Sequence, residues 1–166
     1  MYQNLIISEN NPEQVNMLMG EELYVIDEIQ WFEEMKSEGG NKFRFLNIVD
    51  HGNEHIIPES ERDFFFRMIT SIKNDKFSMD ADGFSVVNIS DYKGVKWNNL
   101  ENLFSPVYCI FWGANPEKLG VYCKLWGGAL QGNCRILCVE SIKDISENQE
   151  KKKQLWGLVK RMFQIQ

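Results

Sequence analysis

The sequence predicts an α/β protein, a three-layer domain in which a small, mainly parallel four-stranded sheet is flanked by helices. Two observations lead to this prediction. Short segments rich in apolar, β-forming residues alternate along the chain with segments whose apolar residues recur at helical spacing. One of the strand-like segments, residues 106–113, is apolar almost throughout, which is typical of a parallel strand covered on both faces. The length of 166 residues suits one domain with its own core.

Four segments are predicted to be the strands of this sheet. Each is rich in apolar and β-branched residues and is bounded by turn-forming residues. They are residues 43–49, 83–90, 106–113 and 134–139.

Helices are predicted between these strands. In residues 61–73 one helical face collects the apolar residues Phe64, Phe65, Met68, Ile69 and Ile72. In residues 96–104 a second face collects Trp97, Leu100, Leu103 and Phe104. A single helical turn is predicted to begin at Pro116, with Asn115 as its cap.

A last helix is predicted to begin with a capping box made by Ser146 and Gln149 and to extend to Phe163. Its apolar face is formed by Leu155, Trp156, Val159, Met162 and Phe163. Leu155 and Trp156 are expected to lock the helix onto the sheet, with Phe65 and Phe163 as further structural residues. Truncation of Trp156 is therefore expected to destabilise the fold strongly.

The first 36 residues carry a different charge from the rest of the chain. They hold eight acidic residues and a single lysine. Since the whole chain has a net charge of -6, the rest of the chain is close to neutral. We interpret residues 1–36 as an acidic arm or edge segment and residues 43–163 as the core, joined by a glycine-containing turn at 36–42. Because acidic surfaces repel nucleic-acid phosphates, direct nucleic-acid binding is not expected. A protein partner and a solvated surface both remain compatible with the arm.

Several classes of protein are disfavoured by composition. No apolar run approaches the roughly 20 residues that span a bilayer, and the first residues lack the pattern of a signal peptide, so a cytoplasmic protein without membrane contact is expected. The four cysteines, Cys109, Cys123, Cys134 and Cys138, form no C-x-x-C pair and are interpreted as core thiols. Neither a metal nor a cofactor is predicted.

A candidate site is predicted where parallel strands end, because ligands of open α/β sheets bind beyond the carboxyl ends of the strands. The candidate residues there are Asp50, His51, Asn53, His55, Gly113 and Asn115. No nucleophile stands in a recognisable turn, and no glycine-rich segment fits a nucleotide fingerprint. The chain is therefore expected to be non-catalytic. The alternative is a glycosylase-like or nucleotide-binding protein that uses the loop after the first core strand.

The closing segment, residues 141–163, adds a resemblance to a known family. It reads S-I-x-D-I, then an asparagine, a lysine and a Leu-Trp pair. This pattern resembles the psi subunit of the bacterial DNA polymerase III holoenzyme, in a divergent form found in Bacteroidetes-type bacteria. The matching residues are Ser141, Ile142, Asp144, Ile145, Asn148, Lys153, Leu155 and Trp156, and Glu22, Leu23 and Tyr24 match a short segment before the core.

The resemblance implies a fold related to the uracil-DNA glycosylases without their activity. It also implies a role in the clamp-loader assembly. The partners expected from it are clamp-loader subunits and a chi-like subunit that links to single-strand-binding protein. The sequence supports the lack of activity, because the loop after the first strand lacks the glycosylase pattern and the loop after the last strand has no histidine.

Overall fold

A computed structural model of the chain describes residues 34–52, 55–74 and 77–165, all of which belong to one compact unit. Within these residues the strands are β1 (Ser37–Gly39), β2 (Phe45–Val49), β3 (Lys73–Asn74), β4 (Phe77–Ser78), β5 (Phe84–Asn88), β6 (Tyr108–Trp112), β7 (Gly127–Gln131) and β8 (Cys134–Val139). The helices are α1 (Glu59–Thr70), α2 (Trp97–Phe104), α3 (Ile142–Ser146) and α4 (Gln149–Phe163). Short 3-10 turns occupy Ile89–Asp91 and Pro116–Leu119. No helix in this part of the chain is long and apolar enough to cross a membrane.

Six of the strands form one mixed sheet in the order β1-β5-β2-β6-β8-β7, while β3 and β4 form a separate two-stranded ribbon. The four central strands, β5, β2, β6 and β8, are parallel to one another. They are the four predicted strands, and the α/β class is confirmed. The prediction of a four-stranded sheet is wrong, because β1 and β7 add antiparallel edges to β5 and β8.

Both missed edge strands are rich in glycine, which weakens a strand pattern in sequence. β1 lies within the segment predicted as a turn, and β7 begins with Gly127 and Gly128. β7 is brought to β8 by a two-residue hairpin at Gly132 and Asn133, where Gly132 takes the positive φ of 56° that such tight turns favour. Pairing with a neighbouring strand therefore compensates for weak local preference.

Helices cover both faces of the sheet, which confirms the three-layer arrangement. One face packs against α1, α3 and α4, and the other against α2 and the two 3-10 turns. On α1 the buried residues are Phe65 and Ile69, whereas Phe64 and Met68 are partly exposed. On α2, Trp97, Leu100 and Phe104 are buried as predicted.

The capping prediction for the last helix is wrong. The chain forms two helices there, and Ser146 is the last residue of α3. Asn148 caps α4, because its Oδ1 accepts hydrogen bonds from the backbone N–H groups of Glu150 (3.0 Å) and Lys151 (3.1 Å). Ser141 caps α3 in the same way, accepting from the N–H of Asp144 at 3.1 Å.

The predicted apolar face of α4 is buried at only part of its positions. Leu155, Val159 and Phe163 are buried against the sheet, and the Phe163 ring lies 5.0 Å from that of Phe45, centroid to centroid. Trp156 is only partly buried, beside Phe64 and Met68 on the outside of the α1–α4 layer. The expectation of a buried Trp156 is therefore wrong, since residue 156 follows the fully buried Leu155 by about 100° around the helix.

Most of the predicted acidic arm, including Glu22, Leu23 and Tyr24, lies outside the described residues. Its last residues are described: Met35 is buried with the α2 face of the sheet, next to β1.

These positions predict different costs of truncation on α4. Leu155→Ala should lower the free energy of unfolding by about 2–5 kcal/mol, because it leaves a cavity in the core. Trp156→Ala should lower it by less, since part of its ring is already in water. Urea unfolding followed by circular dichroism measures both, with the exposed Gln154→Ala as control. Equal losses for Leu155→Ala and Trp156→Ala would contradict this placement.

Candidate functional site

The carboxyl ends of the four parallel strands form one rim of the sheet. The chain passes from β2 outward to β5 on one side, and from β6 outward to β8 on the other. The switch point thus lies between β2 and β6, where open α/β sheets bind their ligands. Asp50 and His51 follow β2, and Gly113 and Asn115 follow β6, so the fold places these four predicted residues at the switch point.

Asp50 and Asn115 fix the loops of this rim. An Asp50 Oδ2 atom lies 2.6 Å from the Nζ of Lys118, and this ion pair joins the loop after β2 to the turn after β6. Asn115 caps that turn as predicted, because its Oδ1 accepts a hydrogen bond from the N–H of Glu117 at 3.0 Å. Both side chains therefore have a structural role at the rim.

His51 is held by its ring and by its backbone. Its Nε2–H donates to the carbonyl oxygen of Ile56 at 2.8 Å. The backbone is clamped by Asn88, whose Nδ2 donates to the His51 carbonyl at 2.8 Å and whose Oδ1 accepts from the His51 N–H at 3.2 Å. The hydroxyl of Ser90 donates to the same carbonyl at 2.7 Å. The loop after β2 is thereby tied to the end of β5.

Sequence reasoning missed Asn88. It is 2% exposed, at the last position of a fully buried strand that is apolar apart from Asn88 and Ser85. A buried amide must find hydrogen-bonding partners, so a polar residue at that point signals a role in holding a neighbouring loop.

Two further candidate residues were predicted in this loop. His55 is exposed, and Asn53 lies outside the described residues. Glu61, in the first turn of α1, is an unpredicted neighbour of this loop. Burial raises the pKa of its carboxyl group, and the nearby ring of His51 partly offsets that rise.

Two clefts of about 440 Å³ each open at the rim. The first, the lysine cleft, is lined by Asp50, Ser90, Tyr92 and the three lysines Lys93, Lys96 and Lys118, together with four further residues. The second includes Gly113 and Asn115 in its lining. Gly113 has a positive φ of 67°, and a Cβ there would lie 3.1 Å from Ser141, so only glycine suits the position.

Three of the four cysteines are buried as core thiols, whereas Cys123 is only partly buried. Cys109, Cys134 and Cys138 are buried, and burial raises the pKa of Cys134 to about 12 and that of Cys138 to about 11. Neutral thiols are poor metal ligands and poor nucleophiles. Within the described part of the chain, no group of three or more His, Cys, Asp or Glu residues is arranged to hold a metal ion.

A second candidate surface lies on the far edge of the sheet. Tyr122, Leu125 and Leu130 are large apolar residues exposed by 71%, 57% and 71%. They fall on β7 and on the segment that leads into it. Among the described residues β7 is paired with β8 alone, so its outer edge is open. Leu125 also lines the second rim cleft, and Leu130 lines a groove beside α4, so the three residues mark different parts of this edge. We call these three residues and this open edge the β7 surface.

Comparison with known proteins adds no identification. No protein-family model matches this chain, and no curated protein matches it either. The rim and the β7 surface are therefore interpreted from their own residues.

The Asn88 clamp predicts a measurable contribution to stability. Asn88→Ala should lower the free energy of unfolding by about 1–3 kcal/mol, because it removes the acceptor of the His51 N–H and one of the two donors to the His51 carbonyl. Equilibrium urea unfolding measures this change. Asn98→Ala, an exposed asparagine on α2, is the control and should alter stability by about 0.5 kcal/mol or less. An unchanged midpoint for Asn88→Ala would show that the clamp does not hold the loop.

Proposed function

We propose that this chain is a non-catalytic accessory protein that acts by protein–protein contact, with clamp-loader subunits of the bacterial replicative polymerase as its partners. The observation that carries the proposal is the β7 surface. Single exposed apolar residues are common, but here three large ones fall within residues 122–130 beside an open strand edge. Exposed apolar side chains along a strand edge that is unpaired among the described residues favour an interaction surface.

The rim favours a non-catalytic role over a glycosylase-like one. A general base needs a nitrogen or carboxylate directed at a substrate. Here the Nε2 of His51 donates to Ile56, and Asp50 is paired with Lys118. These groups hold loops in place.

The identity of the partner rests on the resemblance to the psi subunit. In the matching segment, Ser141 and Asn148 cap α3 and α4, and Ile142, Ile145 and Leu155 are buried against the sheet. The residues of the pattern therefore build a pair of helices on one face of the sheet. This supports a shared fold of the uracil-DNA glycosylase type. In the psi-subunit family the folded body also holds the chi subunit, so a chi-like partner is proposed here as well.

Affinity purification of the tagged protein from its own cells, followed by mass spectrometry, tests the proposal. We expect clamp-loader subunits, with a chi-like or single-strand-binding protein among the co-purified proteins. The double variant Leu125→Ser/Leu130→Ser should lose them, because it removes apolar contact area from the β7 surface without touching the core. Asn98→Ser serves as a control. Recovery of no clamp-loader subunit with a well-expressed bait would refute the partner assignment.

The lysine cleft favours a second candidate function, the binding of a small phosphate-bearing ligand such as a nucleotide. Among the described residues of its lining, three lysines face one carboxylate, that of Asp50. Lys118 is engaged by Asp50, and the Nζ of Lys96 lies 3.4 Å from the carbonyl oxygen of Lys118. The cleft lies at the switch point, and its volume is within the range of small-molecule sites.

Calorimetric titration with ADP and with pyrophosphate tests this second function. Binding should weaken with added salt, since it depends on lysine charges. Lys93→Ala/Lys96→Ala should weaken it by roughly tenfold or more, whereas Lys124→Ala, outside the cleft, should not. No heat of binding at about millimolar ligand would exclude this function.

A further inference from the structure

A groove of about 560 Å³ runs between the outer strands of the sheet and α4, next to the β7 surface. Its lining includes Gly128, Leu137, Leu158, Met162, Arg135 and Arg161. The groove thus combines apolar side chains from the sheet and from α4 with two guanidinium groups.

The strand register explains why this groove exists. Gly128 pairs with Leu137 and Leu130 pairs with Arg135, so these four residues share the face of the sheet that α4 covers. Because Gly128 has no side chain, the space over this part of the sheet beside Leu158 and Met162 stays open.

Glycine is not required at position 128 by the backbone. Gly128 does not have a positive φ. A Cβ there would meet only the carbonyl oxygen of Ile136, at an ordinary contact distance of 3.6 Å. A larger residue would also favour the strand. The consequence of glycine here is the open groove itself.

Among the described residues no strand pairs with the outer edge of β7, and such an edge beside the groove suits an extended chain. An unpaired edge presents backbone N–H and C=O groups in the spacing of a strand, and a peptide can add to it as a further strand. In that arrangement every second side chain of the peptide would face the α4 side, where the groove lies.

The charge of the groove selects the chemistry of such a peptide. Among the described residues that line it are two arginines and no carboxylate, although the chain as a whole has a net charge of -6. The Nη1 of Arg135 donates to the carbonyl oxygen of Met162 at 3.1 Å, which holds that guanidinium at the groove. Arg161 is exposed in the last turn of α4. Guanidinium groups pair well with carboxylates.

We propose that β7 and α4 form a docking groove for an extended, acidic and apolar peptide segment of a partner protein. The segment pairs with the outer edge of β7, inserts apolar side chains over Gly128, and places carboxylates near Arg135 and Arg161. This inference deepens the proposed function and rests on it, because it takes the protein to act through a protein partner.

Fluorescence anisotropy with labelled heptapeptides tests the groove on the full chain. The first probe alternates leucine with aspartate, and the second replaces every aspartate with lysine. The aspartate peptide should bind, more weakly as salt is added, and the lysine peptide should bind roughly tenfold or more weakly. An aspartate peptide N-methylated at alternate residues should lose binding, because it cannot pair with a strand edge. No binding of the aspartate peptide at about 1 mM, or equal binding of all three, would overturn the proposal.

Matched variants locate the binding. Gly128→Val fills the groove and should weaken the aspartate peptide roughly tenfold or more. Ala129 also borders the groove, but Ala129→Val places its side chain on the opposite face of β7 and should not weaken binding. Arg161→Glu should weaken binding, and Arg67→Glu, on α1, should not. Circular dichroism melting checks that each variant is folded. An unchanged affinity for folded Gly128→Val and Arg161→Glu would place the peptide elsewhere and overturn the proposal.

The groove and the proposed partner can fail separately. Groove-dependent peptide binding without recovery of clamp-loader subunits would keep the docking groove and reject that partner. Recovery of these subunits by wild type and Gly128→Val alike would keep the partner and reject the groove.

Discussion

The structure depends on the burial of β2. All five of its residues are buried, and it is hydrogen-bonded to β5 on one side and to β6 on the other. A strand in that position needs a helix layer on each face, which α1, α3 and α4 supply on one side and α2 on the other. It also needs partners for its one polar side chain. The Oδ1 of Asn47 accepts from the Nε1–H of Trp112 at 3.0 Å, so the amide ties β2 to β6 inside the core.

The central position of β2 also decides where the rim forms and what its residues do. Because the chain leaves β2 toward one side and β6 toward the other, two loops diverge at the switch point and have to be held there. Asn88 and Ser90 hold the loop after β2 through the backbone of His51, and the pair of Asp50 with Lys118 joins it to the turn after β6. The polar groups of the rim thus fix its loops.

Sequence patterns predicted what depends on local composition and missed what depends on pairing. The positions of the four central strands could be predicted closely from apolar spacing. The buried faces of α1 and α2 could be predicted only in part, since Phe64, Met68 and Leu103 are partly exposed. β1 and β7 could not, since their glycines become strand residues only beside β5 and β8. Asn88 acquires its role from a backbone 37 residues earlier in the chain. Trp156 shows the limit of spacing, because a helical position next to a buried one can lie at the boundary with water.

The two edges of the sheet differ in a way that bears on partner binding. β1 is three residues long, and its Glu38 forms an ion pair with Arg62 of α1, which in turn lies over the ring of Phe66 at 4.8 Å. A short strand with a charged side chain discourages the addition of another strand. β7 has five residues, exposes Leu130 and carries no charged side chain. If both edges had to be protected from the addition of another strand, β7 would be expected to carry a charged side chain as well. The uncharged edge of β7 and the groove beside it therefore favour the proposed binding of a peptide strand there.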